Sequence, residues 1–173
     1  PLASSILCDL GATVIKVEPP AGDPSRKLAS GLFARINRGK LSLVLDLKSD
    51  DDCRAAQRLA REVDVVLETF RPGVADRLGV GYGTLSALNE RLVYCSLSGF
   101  GASGPLSGHA GHDLSYLALA GAMALPGRWG EAPQRSGLPV ADLMAGMLGV
   151  QAIGGALYEG RAAGRGRGLD GSL

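Results

Sequence analysis

Aromatic residues are scarce in this 173-residue chain, which has three Phe, four Tyr and one Trp. Single-stranded nucleic acid is held largely by stacking successive bases on aromatic side chains, so that class of partner is not expected. An excess of either charge is also missing, with 18 Lys and Arg against 17 Asp and Glu. Such a balance creates no basic field for nucleic acid or an anionic membrane surface. Uninterrupted apolar runs stay short of the ~18 residues that span a bilayer, and no basic-then-apolar signal segment opens the chain. No membrane partner is therefore expected.

Cysteine is sparse. Cys8, Cys53 and Cys95 never form a C-x-x-C pair. An odd count at wide spacing suits reduced thiols in small apolar sites and a cytoplasmic location better than a disulfide framework or zinc site. Histidine occurs only twice, as His109 and His112. Without a clear third ligand the two do not make a metal centre, so none is expected. Phosphate-loop chemistry lacks its signatures too: there is no G-x-x-x-x-G-K-[ST], and no G-x-G-x-x-G follows the first predicted strand. Ser-His-Asp hydrolysis lacks its G-x-S-x-G elbow.

What is present in quantity is glycine, with 26 residues, on an otherwise ordinary background of 46% hydrophobic and 20% charged residues. Four apolar segments read as strands: 12–18, 40–47, 64–70 and 91–101. Before and between them, 1–11 and 48–63 carry helical apolar spacing, and Ser49 with Asp50, Asp51 and Asp52 suits a helix start. Residues 71–74 and 83–91 suggest short turns or helices. A helix is expected from His112, and a long small-residue helix over 139–161. The Gly/Arg-rich stretch 160–168 reads as a flexible loop, with a strand beginning near the last residues. Strand–helix–strand spacing implies parallel crossovers. The fold class expected is α/β, Rossmann-like, with a mostly parallel sheet and flanking helices, as a single partial domain over residues 1–173.

Two sets of residues carry candidate chemistry. Arginines follow the predicted strands, with Arg26 after the first and Arg71 and Arg77 after the third. Ligands of open α/β sheets bind beyond the carboxyl ends of the strands, where arginines can meet an anion bidentately. The second set lies in "SGHAGHDLSY" (107–116) and "PVADLMAG" (139–146). His112 titrates near neutrality and suits general acid/base work. Asp142 is an acid at an otherwise apolar helix start, where a capping role is the simpler reading.

Five ordered segments, "DLGATVIKVEPPAGDPSR", "NRGKLSLVLDLKSDD", "DVVLETFRPGVADRLGVGYGTLSALNERLVYCSLSGFGASGP", "AGHDLSYLALAGAM" and "GLPVADLMAG", together resemble the family III CoA-transferases. That superfamily includes formyl-CoA and carnitine-CoA transferases and the α-methylacyl-CoA racemases. The resemblance covers nearly the whole chain and implies the N-terminal part of the large domain, truncated at both ends. It also implies an acyl-CoA substrate, with coenzyme A arriving as part of that substrate and no prosthetic group. An interlocked homodimer is implied for the full-length protein. By the same resemblance, Arg26, Phe70, Arg71 and Arg77 would line the site for the CoA nucleotide and phosphates.

For the chemistry, the resemblance leaves three readings. In the racemase type, His112 and Asp142 exchange a proton at C2 of a 2-methylacyl-CoA, and the "GHD" form of residues 111–113 favours it. In the transferase type, Asp113 attacks the thioester and carries covalent intermediates, and "SLSGFGASGP" reads more like that branch. In the third, this stretch is catalytically inactive by itself.

Overall fold

The computed structural model describes residues 1–127 and 130–173. Helix α1 (Leu2–Asp9) leads into strand β1 (Ile15–Glu18). Two short helices, α2 (Ser25–Leu28) and α3 (Ser30–Ile36), carry the chain to β2 (Leu41–Val44). Helix α4 (Asp50–Ala60), β3 (Val65–Glu68), α5 (Val74–Arg77), α6 (Tyr82–Leu88) and β4 (Val93–Ser98) follow. After a long loop come α7 (Asp113–Leu119), a 3-10 turn at Ala122–Ala124, α8 (Val140–Ala163) and β5 (Arg167–Ser172).

All strand pairs are parallel, and helices flank them, as the crossover spacing requires. The strands form two sheets, β1–β2 and β3–β4–β5, where one was expected. In the larger sheet Val65 pairs with Val93, and Val93 with Arg167. The strands are shorter than their apolar segments, because the flanking residues turn away to start helices or loops.

Strand β5 corrects the reading of 160–168 as a loop. Helix α8 runs on to Ala163, Gly164 ends it in the left-handed conformation, and the strand starts three residues later at Arg167. Its Arg-Gly sequence has no apolar alternation to announce a strand. It pairs because β4 offers an open edge, and because glycine lets the backbone approach closely. A Cβ at Gly166 would collide with the Leu92 carbonyl, and one at Gly171 would stand 2.7 Å from Leu97 Cδ2.

The helix predicted from His112 also ends sooner than its apolar pattern. Gly121, with φ 74°, breaks it, and the 3-10 turn takes over. Segment 25–36, which carries no clear periodicity, folds into α2 and α3. Its proline- and glycine-rich approach hides a short helix whose side chains serve β1 more than a core.

The main core lies between α4, α5, α6 and one face of β4. Ala60, Ala75, Val80, Leu85, Leu92 and Tyr94 are buried together. The Tyr94 hydroxyl satisfies itself by donating to the Val80 carbonyl oxygen at 3.2 Å. On the other face of the sheet lies α8, packed also on α1 and α7. Its Ala145, Gly146, Gly149, Ile153 and Ala156 are buried, at the i, i+3, i+4 spacing of one helical stripe. Full burial of Ile153 alone is worth about 1.5–3 kcal/mol. Glycine in that stripe admits Leu2 against Gly146 and Leu97 against Gly149. By length and composition α8, with a mean hydropathy of 1.5 over 18 residues, is apolar enough to cross a membrane. Here that apolarity packs the stripe against the sheet.

Candidate active site

The chemistry-bearing residues collect where two helices begin. Helix α7 starts immediately after His112, in a loop released by the carboxyl end of β4. The backbone N–H of His112 donates to Ser115 Oγ at 3.4 Å, and the Ser115 N–H donates back to the His112 carbonyl at 2.7 Å. This local exchange fixes the first turn of α7, and the His112 side chain is left exposed to solvent.

Asp113, the first residue of α7, turns away from its own helix. Its Oδ1 accepts the backbone N–H of Ala141 at 2.8 Å and that of Asp142 at 3.3 Å. Those amides lie in the first turn of α8, where a helix has no internal partners for its N–H groups. Asp113 therefore caps a helix that begins 27 residues later in the sequence, and so ties the two helix starts together. Pro139, the residue before α8, has no hydroxyl or carboxylate with which to do the same.

Asp142, brought in by this cap, has a carboxyl pKa above the ordinary aspartate range. Partial burial is the main cause, the Asp113 carboxylate adds to it, and the nearby His112 opposes it. A carboxyl so raised, beside an exposed imidazole, can hold or release a proton closer to neutrality than a free aspartate. His112, Asp113 and Asp142, singled out from sequence, thus meet at one point. His109 stands apart in the exposed loop, its N–H donating to the Leu106 carbonyl at 2.9 Å.

The loop that delivers His112 is itself anchored. Both carboxylate oxygens of Asp170 in β5 accept the Ala102 N–H, at 3.0 and 3.2 Å. Gly101, at φ 78°, makes the turn just before it. Tyr116, one turn into α7, is buried with its ring edge-on to Phe100 at a centroid distance of 5.1 Å. No sequence pattern singles out Tyr116, Phe100 or Asp170. The only signal for Tyr116 was its position three residues after Asp113.

The four residues assigned to a CoA site fall in two places. Phe70, Arg71 and Arg77 share the segment after β3. Phe70 is 38% exposed and Arg71 and Arg77 are exposed, with Arg77 beside Gly73. Arg26 follows β1 and is already engaged. Its Nε and Nη2 each donate to Glu18 at 2.8 Å, and its guanidinium carbon stands 4.3 Å from the centre of the Phe33 ring. Glu18 is only 3% exposed, and its carboxyl is held below the usual glutamate range chiefly by this bidentate bond. Lys16 and Asp23 pair beside it at 2.6 Å. An anion meeting Arg26 would find one guanidinium nitrogen uncommitted, so Phe70, Arg71 and Arg77 are the freer group.

Known proteins are similar to this chain in sequence and in fold. The chain is 37% identical to succinate–glutarate CoA-transferase of Agrobacterium fabrum, over all of this chain and 47% of that protein. It is 41% identical to human alpha-methylacyl-CoA racemase, over all of this chain and 44% of that protein. A crystal structure of a CAIB/BAIF family protein from Brucella suis superposes with a TM-score of 0.96 at 37% identity, covering 99% of this chain and 48% of that one. The chain thus spans somewhat under half the length of the curated relatives it matches. The model of CoA-transferase family III matches residues 1–173, and this chain belongs to that family.

Proposed function

We propose that the full-length protein acts on an acyl-CoA thioester by proton transfer at C2, with His112 and Asp142 as the acid/base pair. The observation that carries this reading is the cap of α8 by Asp113. It sets the start of α8, with Asp142, against the start of α7, with His112. One of the pair takes the C2 proton, and the C2–H electron pair moves toward the thioester oxygen as an enolate. The conjugate acid of the other returns a proton to the opposite face, which inverts C2. The raised carboxyl of Asp142 suits both halves of that exchange.

A second reading, transfer of CoA between carboxylic acids, draws on the relatives named as CoA-transferases. It needs a carboxylate free to attack the thioester carbon. Asp113 was the sequence-based choice, but its Oδ1 already accepts two backbone N–H groups. Attack through that oxygen would uncap α8. Asp113 Oδ2 accepts no hydrogen bond among the described residues, so Asp113 remains the candidate nucleophile through that second oxygen. For the same full-length protein we propose the interlocked homodimer, supported by the apolar Met144, Met147 and Leu148 that α8 leaves 47–53% exposed.

Full-length protein incubated with a (2R)- or (2S)-2-methylacyl-CoA in deuterated solvent is expected to incorporate deuterium at C2. His112→Ala should slow incorporation by about a hundredfold or more. No incorporation by the wild type, together with an acyl- or CoA-adduct that intact mass detects and Asp113→Ala abolishes, would replace proton transfer with the transferase reading.

A further inference from the structure

Tyr116 lies one turn beyond the His112–Asp113 start of α7. Its ring fits a slot made by the absence of side chains. A Cβ at Gly99 would stand 2.9 Å from the ring carbons Cε1 and Cζ, and one at Gly111 would stand 2.6 Å from Cε1. Phe100 closes the slot edge-on. The ring is thereby fixed between the carboxyl end of β4 and the start of α7, with the hydroxyl lying against Gly99.

The ring is packed away, with the residue 9% exposed, and the hydroxyl has no hydrogen-bond partner among the described residues, though it is not fully enclosed as Ser98 Oγ is. A buried tyrosine normally finds one, as Tyr94 does on Val80. Leaving a polar group unpaired costs about 1–3 kcal/mol unless water or a ligand meets it. Next to Gly99, the Ser98 hydroxyl is fully buried without a partner among the described residues. Two unpaired hydroxyls therefore belong to the point where β4 ends, which is where parallel α/β sheets receive ligands. Burial, and then the Asp142 carboxylate, raise the phenol pKa, so Tyr116 stays protonated at neutral pH and is a donor.

We propose that Tyr116 is a substrate-contacting residue whose hydroxyl donates a hydrogen bond to an oxygen of the acyl group of the bound thioester. This rests on the acyl-CoA reading given above and adds a neutral donor to its charged pair. A neutral phenol binds an oxygen that gains negative charge without competing for the C2 proton, which suits it to the thioester carbonyl.

The test compares full-length wild type with Tyr116→Phe, which removes the hydroxyl and keeps the ring that the two glycines accommodate. Tyr116→Phe is expected to keep its melting temperature and its affinity for free CoA, which lacks the acyl group. Its kcat/KM for acyl-CoA should fall about tenfold or more, the factor that a lost hydrogen bond of that kind supplies. Wild-type kcat/KM in the variant overturns this assignment alone, and so does an equal loss of CoA and acyl-CoA binding, which would mark a packing role. A wild type that neither binds CoA nor turns over any acyl-CoA overturns the acyl-CoA reading and this one with it. A measurement without mutation uses fluorotyrosine-labelled protein: one tyrosine fluorine signal should shift with acyl-CoA and not with CoA. No such shift overturns the assignment.

Discussion

Asp113 Oδ1 stands 2.8 Å from the backbone nitrogen of Ala141, and this bond joins α7 to α8 at the point where both begin. Its consequence is that Asp113 is a structural acceptor before it is anything else. Asp113→Ala should destabilise the full-length protein by about 1 kcal/mol, the usual worth of a helix cap, while Asp113→Asn, which keeps an acceptor oxygen, should lose less. Urea unfolding of the two variants measures the difference. Equal stability in all three proteins would remove the cap from the account.

The Glu18–Arg26 pair predicts an acid sensitivity with a definite sign. Glu18 has its folded-state pKa lowered, chiefly by Arg26, so its stabilisation is fully present above the unfolded glutamate value of about 4.3. It is lost as pH falls through the lower folded value. Arg26→Ala should therefore move the acid-unfolding midpoint to higher pH, read by circular dichroism across a pH series. A midpoint unchanged by that substitution would mean the bidentate bond does not hold Glu18 ionised.

Glycine tolerance should split sharply along the chain. At Gly166 a Cβ meets the fixed carbonyl of Leu92, which cannot rotate aside, so Gly166→Ala should cost at least about 3 kcal/mol, the upper range for overpacking. Gly154, in α8 with open space around its Cα, should gain up to about 1 kcal/mol of helix propensity as alanine. Thermal or denaturant melts of the pair decide it. Similar losses at both sites would contradict the packing described for β5.

Cys95 should be chemically silent in the folded protein. It is 1% exposed, and burial, followed by the charges of Glu68 and Asp170, pushes its thiol up to about 11. Since the thiolate is the reactive form, an aromatic disulfide reagent at neutral pH should leave Cys95 unmodified until denaturant is added. Peptide mapping of labelled folded protein checks this, and early labelling at Cys95 would show that β4 opens readily.

The strands that sequence revealed are those whose side chains favour a sheet. "IKVE", "LSLV", "VVLE" and "VYCSLS" are rich in the branched and leucine residues that a sheet packs, and all four became strands. "RGLDGS" became a strand for a different reason: it is placed by the open edge of β4 and admitted by glycines, neither of which has a local pattern. The site divides in the same way. His112 and Asp142 stood out by residue type alone. The bond that ties their helices, from Asp113 to amides near residue 141, depends on where the chain returns, and so does the Glu18 grip that occupies Arg26. The Tyr116 slot was hidden because its signal is two missing side chains, at Gly99 and Gly111.

The Leu97–Gly149 contact has a mechanical consequence. Gly149 lies seven residues along α8 from Asp142, or about 10 Å at 1.5 Å per residue, and a straight helix transmits axial displacement with little loss. The knob of Leu97 against that glycine acts as a thrust bearing, fixing how far the carboxylate at the helix tip projects toward His112. Side-chain volume in the middle of the sheet is thus converted into reach at the end of a rod.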